Sequence, residues 1–290
     1  MIFYLITFGQ YNKKTYKDAE WLIESYLAAL IHTGQIDKTC YSIVPWQGQV
    51  VAYVNALGIK PDSQQFHCEW GKNDLKKIYD FFGQIPIWTC NEDFPPKKNV
   101  TWKNAPFLYF VTDYFERESP VRRGDNGRVI PYFTLPITSS EKDNIYGWTC
   151  RYRELDSLWL DSGDFEMSAY RHLAEPDSSL SIEGRECCSV IEKATGVPTY
   201  YYLKRYYGRE YAEEKERQCP GCGKPWFVKR PEKQIDEHKP WWEFDFMCKK
   251  CRLVSSVAPD LNLRYAKIGE PRKNTPSPKR KRGENHASPH

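Results

Sequence analysis

The chain has 290 residues, 40% of them apolar and 15% aromatic, with a net charge of +4. That length can bury a core without disulfides or metal, which excludes a wholly disordered chain, and no run approaches the ~18 apolar residues that span a bilayer. The positive charge is local: residues 269–290 hold six basic residues against two acidic ones and carry the whole +4, so residues 1–268 lack the excess that draws a protein onto a polyanion.

Ile2 to Phe8 is an apolar, β-branched and aromatic run closed by Gly9, the pattern of a buried strand. Thr15 can cap a helix in which Ala19, Leu22, Ile23, Tyr26, Leu27, Leu30 and Ile31 recur at spacings of three and four, and Gly34 ends it. Cys40 to Trp46 and Gln49 to Ala56 read as strands joined at Gln47-Gly48. Asn73 is the expected cap of a second helix containing Leu75, Ile78, Tyr79 and Phe82, and Ile85 to Cys90 the expected fourth strand. The order β-α-β-β-α-β over residues 1–92 is that of a ferredoxin-like α/β sandwich.

Phe94-Pro95-Pro96 separates this unit from a mixed strand and helix region, residues 93–208. Phe107 to Thr112 and Val129 to Leu135 are β-prone, with Ser119 to Arg128 a polar loop between them. Arg123-Gly124-Asp125 in that loop invites a cell-adhesion reading, but Gly124, Asn126 and Gly127 are turn formers and the plainer reading is a turn. Ser140 to Leu160 carries Ile145, Trp148, Tyr152, Leu155 and Trp159 on one helical stripe, read as core. Asp156, Asp161, Asp164 and Glu166 near its end form the chain's best carboxylate cluster for an enzyme; a solvated loop around Gly163 is the simpler reading. Ser179 or Ser181 opens a further helix that Gly196 closes. In Thr199 to Gly208, tyrosines alternate with Lys204 and Arg205, which suits either a packed strand or a surface that stacks bases.

The chemistry concentrates in Cys219-Pro-Gly-Cys222 and Cys248-Lys-Lys-Cys251. Two Cys-x-x-Cys turns supply four thiolates for a tetrahedral zinc, each sulfur about 2.3 Å from the metal. Iron accepts the same ligands. A thioredoxin-like redox reading of the first pair needs a helix after it, and Gly223 and Pro225 stand there instead. The 25 residues between the pairs form a long hairpin tip, Lys229 to Pro240, flanked by strands at Trp226 to Val228 and around Trp242 to Phe246. Each doubling of such a loop costs only about 0.6 kcal/mol. His238 lies in that tip and is read as solvent-exposed. Residues 209–262 thus read as a zinc ribbon and 263–290 as a disordered basic tail, in which Lys279-Arg280-Lys281-Arg282 is read as a solvated run, with a nuclear signal or a nucleic-acid contact as the sharper alternatives. Lys224, Trp226, Lys229, Arg230, Lys249 and Arg252 are the candidate nucleic-acid contacts. The other cysteines, Cys40, Cys68, Cys90, Cys150, Cys187 and Cys188, sit in apolar surroundings, which with the thiolate site predicts a cytoplasmic, reducing setting.

The runs Gly184-Arg185-Glu186-Cys187, Ile191-Glu192 and Thr195 to Leu203, followed by the two cysteine pairs and Arg252-Leu253-Val254-Ser255, resemble a bacterial family of uncharacterised zinc-ribbon proteins for which nucleic-acid binding has been suggested. The likeness is close over residues 178–256 and weaker elsewhere; the longer ribbon tip and the basic tail depart from it. The expectation is an α+β, non-enzymatic zinc-ribbon protein that meets DNA, RNA or a nucleic-acid-handling complex through the ribbon and the adjacent aromatic strand, with no membrane and no small-molecule substrate. The alternative is a protein-protein adaptor whose zinc is purely structural.

Overall fold

A computed structural model describes residues 1–12, 14–93, 97–229 and 244–271. Phe94-Pro95-Pro96, Arg230, the rest of the expected hairpin tip with His238, and residues 272–290 of the basic tail lie outside the described residues.

The first layer is a four-stranded sheet covered by two helices. Strand β1 (Ile2–Gln10) is followed by α1 (Tyr16–His32), β2 (Ile36–Trp46), β3 (Gln49–Ala56), α2 (Glu69–Phe82) and β4 (Ile87–Cys90). The sheet order is β2-β3-β1-β4 and every pairing is antiparallel. Ile2, Tyr4, Ile6 and Phe8 alternate toward the helices and meet Ile23, Leu27 and Leu30 of α1 in one core; burying each such aliphatic side chain contributes about 1.5–3 kcal/mol. The β2–β3 turn falls at Gln47-Gly48, where φ is 48° and 78°, the two positive values a tight hairpin of right-twisted strands requires.

The second layer is a five-stranded sheet of order β6-β5-β7-β10-β9, comprising β5 (Leu108–Phe110), β6 (Val121–Arg123), β7 (Thr199–Tyr202), β9 (Phe246–Cys248) and β10 (Leu253–Ser255). Strands β5, β7 and β10 are parallel to one another. Between β6 and β7 run α3 (Ser139–Asp161), α4 (Glu166–Ala174) and α5 (Ser179–Thr195). Helix α3 starts on a reciprocal cap: Glu141 N–H donates to Thr138 Oγ1 at 3.2 Å and Thr138 N–H donates to Glu141 Oε2 at 2.7 Å. Of its stripe, Ile145, Trp148, Tyr152 and Trp159 are buried and Leu155 is half-buried against the same core. Helix α5 is capped by Ser178 and stops at Gly196, φ 71°. A short parallel pair, β8 (Tyr207–Gly208) with β11 (Asp260–Leu261), and the one-turn helix α6 (Tyr211–Lys215) complete the described elements.

The layers meet where α1 ends. Gly34 has φ 77°, and a Cβ there would fall 2.0 Å from the Tyr132 ring. His32 Nδ1 lies 2.6 Å from Asp143 Oδ1, and Arg153 reaches the buried Asp37 at 3.8 Å.

Several expectations need correction. Val129 to Leu135 is not a strand: Val129 makes one bridge to Arg122, and Tyr132–Thr134 is a 3-10 turn because Pro131 removes the N–H a ladder needs. The second strand of that region, β6, lies inside the stretch read as polar loop, since Val121 and Arg122 are buried beside β5. Asn73 sits within α2, whose cap is Cys68, with Sγ accepting from Gly71 N–H. Arg123 binds the carboxylate of Asp125 at 2.6 and 3.0 Å while Gly124 N–H donates to Phe107 O, so the Arg-Gly-Asp stretch is a turn whose charges satisfy each other. Tyr200 and Tyr201 are both buried, one on each face of β7, which leaves them no surface for stacking bases.

Candidate metal centre

The first cysteine turn closes on itself: Gly223 N–H donates to Cys219 O and Cys219 N–H to Lys224 O, each 2.8 Å, with Gly223 at φ 67°. The second turn follows β9, where Cys251 N–H donates to Cys248 Sγ at 3.4 Å. Gly221 allows the two turns to approach, because a Cβ there would lie 2.9 Å from Cys251 Sγ. The four sulfurs of Cys219, Cys222, Cys248 and Cys251 all lie within 4.8 Å of one another, and those of Cys222 and Cys248 are 3.7 Å apart. Four ligands 2.3 Å from a tetrahedral centre are separated by roughly 3.8 Å, so the donor set fits a metal ion.

In the metal-free chain the thiols are unequal. Burial pushes Cys219 up, and burial with neighbouring thiols pushes Cys251 up to about 11, whereas the half-buried Cys222 is drawn down to about 7 by the Lys224 N–H. A cation binding here therefore displaces protons.

The surroundings are rigid. Met247 N–H donates to Trp226 O at 2.8 Å and Val228 N–H to Asp245 O at 2.7 Å, and Trp226 is 3% exposed, its ring 5.1 Å from that of Phe246. The Arg217 guanidinium lies 4.2 Å from the Phe246 ring centre and 4.8 Å from that of Trp226. Its Nε approaches Glu214 Oε1 at 3.2 Å without hydrogen-bond alignment, while Arg205 grips both Glu214 oxygens at 2.8 and 2.9 Å. Burial holds the Arg217 pKa down to about 9. For Glu214, burial works against ionisation, but its bonds to Arg205 outweigh it and hold the carboxyl below its usual range.

The expected nucleic-acid contacts divide. Lys224, Lys229 and Lys249 are exposed around the cysteine turns. Trp226 presents no ring face to a base, and Arg252 is spent on Glu192 of α5, at 2.6 and 2.9 Å, with the Tyr200 ring 5.4 Å away. The carboxylates read as a loop cluster do not converge: Asp156 is buried in an ion pair with Lys204, Glu166 accepts from Tyr207 Oη at 2.6 Å, and Asp161 and Asp164 face solvent. Sequence reasoning missed Glu214 and Arg217, since a run as charged as Glu210 to Arg217 gives no sign that two of its members are buried.

Residues 103–204 match a family described as a domain of unknown function, DUF2310. An uncharacterised protein of Haemophilus influenzae is 30% identical over 210 residues, covering 72% of this chain and 96% of its own length. The chain belongs to the DUF2310 family. A second uncharacterised protein of that organism is 30% identical over 182 residues, covering 62% of this DUF2310 chain and 65% of itself. Residues 208–261, with all four cysteines, match another domain of unknown function, DUF8594. The two matches are welded by hydrogen bonds, because β10 of the second pairs with β7 of the first. No solved structure matches the chain. No helix among the described residues is long and apolar enough to cross a membrane.

Proposed function

We propose that the protein is a non-enzymatic zinc-ribbon protein in which one structural zinc, held by Cys219, Cys222, Cys248 and Cys251, fixes a lysine-bordered edge that meets nucleic acid. The observation that carries the metal is the approach of four sulfurs to within 4.8 Å. Thiolates alone favour zinc or iron over hard cations, and a closed four-sulfur shell leaves no position for substrate, which supports a structural ion. The N-terminal strand order and alternation support a ferredoxin-like sandwich as the unit carried beside it. Lys224, Lys229, Lys249 and Lys250 are the exposed cations bordering the turns.

Elemental analysis of purified protein should give close to one zinc per chain. Polarisation titrations with single- and double-stranded DNA and RNA at two salt concentrations should give binding that weakens with salt and is lost when Lys224, Lys249 and Lys250 are changed to Glu. Binding that is absent at low salt removes the nucleic-acid reading. The adaptor reading then stands, favoured by the burial of Trp226, the pairing of Arg252 with Glu192 and the exposure of Trp21, Trp46 and Trp70 on the N-terminal unit. Its signature is nuclease-resistant capture of one protein partner.

A further inference from the structure

The three parallel strands β5, β7 and β10 end side by side, and the residues that follow each of them, Val111 to Asp113, Lys204 to Tyr206 and Ser256 to Pro259, wall a cavity of about 530 Å³. Clefts beyond the carboxyl ends of parallel strands are where open α/β sheets hold ligands, and this volume suits a small organic molecule. We propose that this cleft binds a flat, uncharged heteroaromatic molecule with hydrogen-bond donors and acceptors on its edge, a purine or pyrimidine base presented as a free nucleoside or as an unpaired base of a strand.

Flatness follows from the walls. Tyr109, Tyr202 and Phe244 reach the cavity from the core on one face of the sheet, and Tyr152, Trp159 and Tyr206 from the core on the other. Aromatic rings on both sides favour a ligand that is itself a ring. The absence of ligand charge follows from pairing. Lys204 is neutralised by Asp156, Arg122 by Glu116 at 2.6 Å, and Arg205 by Glu214, while Asp113 adds a negative charge. A phosphate would meet no unmatched cation and would face Asp113. A purely apolar molecule would strip water from Lys204 and Asp113 and replace none of its hydrogen bonds.

A base satisfies both. Lys204 Nζ sits 4.0 Å from the Trp159 ring centre, with one proton directed at Asp156 and others left to donate to a ring nitrogen or carbonyl. Asp156 is locked behind it by Tyr114 N–H at 2.8 Å. Asp113 Oδ1 accepts from Phe115 and Glu116 N–H at 2.8 and 2.9 Å, which fixes the carboxylate and presents its other oxygen as acceptor for an exocyclic amine. The cleft requires no contact with the lysines around the cysteine turns, so it stands whether or not those lysines touch a strand.

Calorimetric and thermal-shift titration of the full, metal-loaded chain with adenosine, guanosine, cytidine and uridine tests this, alongside the matching 5′-monophosphates and octanoate. At least one nucleoside should bind saturably at millimolar concentration or below, its monophosphate no more tightly, and octanoate not at all. Val257→Trp, which fills the cleft from its rim, should abolish binding with the melting temperature retained. Lys204→Met should weaken binding about 10-fold, the loss of one charge-assisted hydrogen bond. A single-stranded homopolymer of the preferred base that competes with the nucleoside identifies the ligand as a base within a strand; one that leaves the titration unchanged identifies the free nucleoside. No nucleoside binding, equal binding by Val257→Trp, or a monophosphate that binds 10-fold more tightly overturns the proposal.

Discussion

Glu214 is the residue on which most charge depends beneath the metal site. It is fully buried, answers two guanidinium groups and keeps Arg205 pointed so that its remaining nitrogen donates to Ala266 O and Ile268 O, both at 2.9 Å. Replacing it by Ala leaves Arg217 a buried cation without its carboxylate partner and Arg205 with Glu270 alone, 3.8 Å away; breaking a buried pair in this way costs about 3–5 kcal/mol. Urea unfolding of Glu214→Ala should lose that much. Its pH dependence has a definite sign. The folded pKa lies below the unfolded value of about 4.3, so the contribution is complete above that pH and is lost as the pH falls through the folded value. The acid limb of the stability curve should therefore be shallower below about pH 4.3 in the variant than in the wild type, while Asp125 and Glu192, also held down by arginines, keep their share of the slope.

Gly184 shows a different demand at the same scale. It lies within α5, where glycine is a poor helix former, yet a Cβ there would stand 2.2 Å from the Tyr201 ring and 2.7 Å from Trp148 Nε1. The ring of Tyr201 is wholly buried and Trp148 is tied to Leu180 O at 3.0 Å, so neither can retreat. Gly184→Ala gains helix propensity worth less than about 1 kcal/mol and loses about 1–3 kcal/mol to overpacking. Thermal unfolding should show a net loss, and a gain would mean that α5 stands off the sheet.

At the scale of elements, the four-cysteine cluster is part of the second sheet. Strand β10 leaves the second cysteine turn directly and lies between β7 and β9, with Tyr201 N–H donating to Arg252 O and Leu203 N–H to Val254 O, both at 2.9 Å. Withdrawing the metal should loosen this edge first. Hydrogen exchange at Tyr201 and Leu203 should accelerate on chelation and in Cys248→Ser, while the amides of β1 and β3, which share no core with the cysteines, keep their protection. Uniform acceleration would mean that the metal holds the whole fold. Acidification should act as chelation does, because protons compete for the thiolates: even Cys222 is protonated below about pH 7 in the metal-free chain, so metal retention should fall with pH.

The same elements mark what a sequence can disclose. The cysteine pairs, the Gln47-Gly48 turn, and the stop at Gly196 are local, each written within four residues; the structure brings the four cysteines together and places the turn and the stop as read. The insertion of β10 beside β7 joins residues about fifty apart with no local sign, and it is what buries Tyr200 and Tyr201 on opposite faces. Trp226 was legible as aromatic and near the metal, but whether it faced solvent depended on Phe246 and Arg217 arriving from elsewhere. The Lys204–Asp156 pair was invisible for the same reason, because it spans 48 residues and joins a helix to the end of a strand.

For the whole molecule the decisive quantity is where charge resides. Residues 1–268 are neutral in sum, and six basic residues against two acidic ones follow. A zinc ion held by the four thiolates would bring a charge of −2 and offset part of the charge of the lysines around the cysteine turns. Two sources of attraction to a polyanion can therefore be separated by truncation. If the tail alone is responsible, a chain ending at residue 271, which keeps Glu270 on Arg209, loses all salt-sensitive retention on heparin and on DNA. If the metal edge contributes, the truncated chain keeps binding with a slope of log K against log salt near −2.7, the value for about three phosphate contacts on duplex DNA. Changing Lys224, Lys249 and Lys250 to Glu in the truncated chain should then bring that slope to zero, with zinc content and melting temperature unchanged because all three side chains are exposed. The measurement assigns polyanion binding either to the edge that the metal fixes or to the segment that follows it.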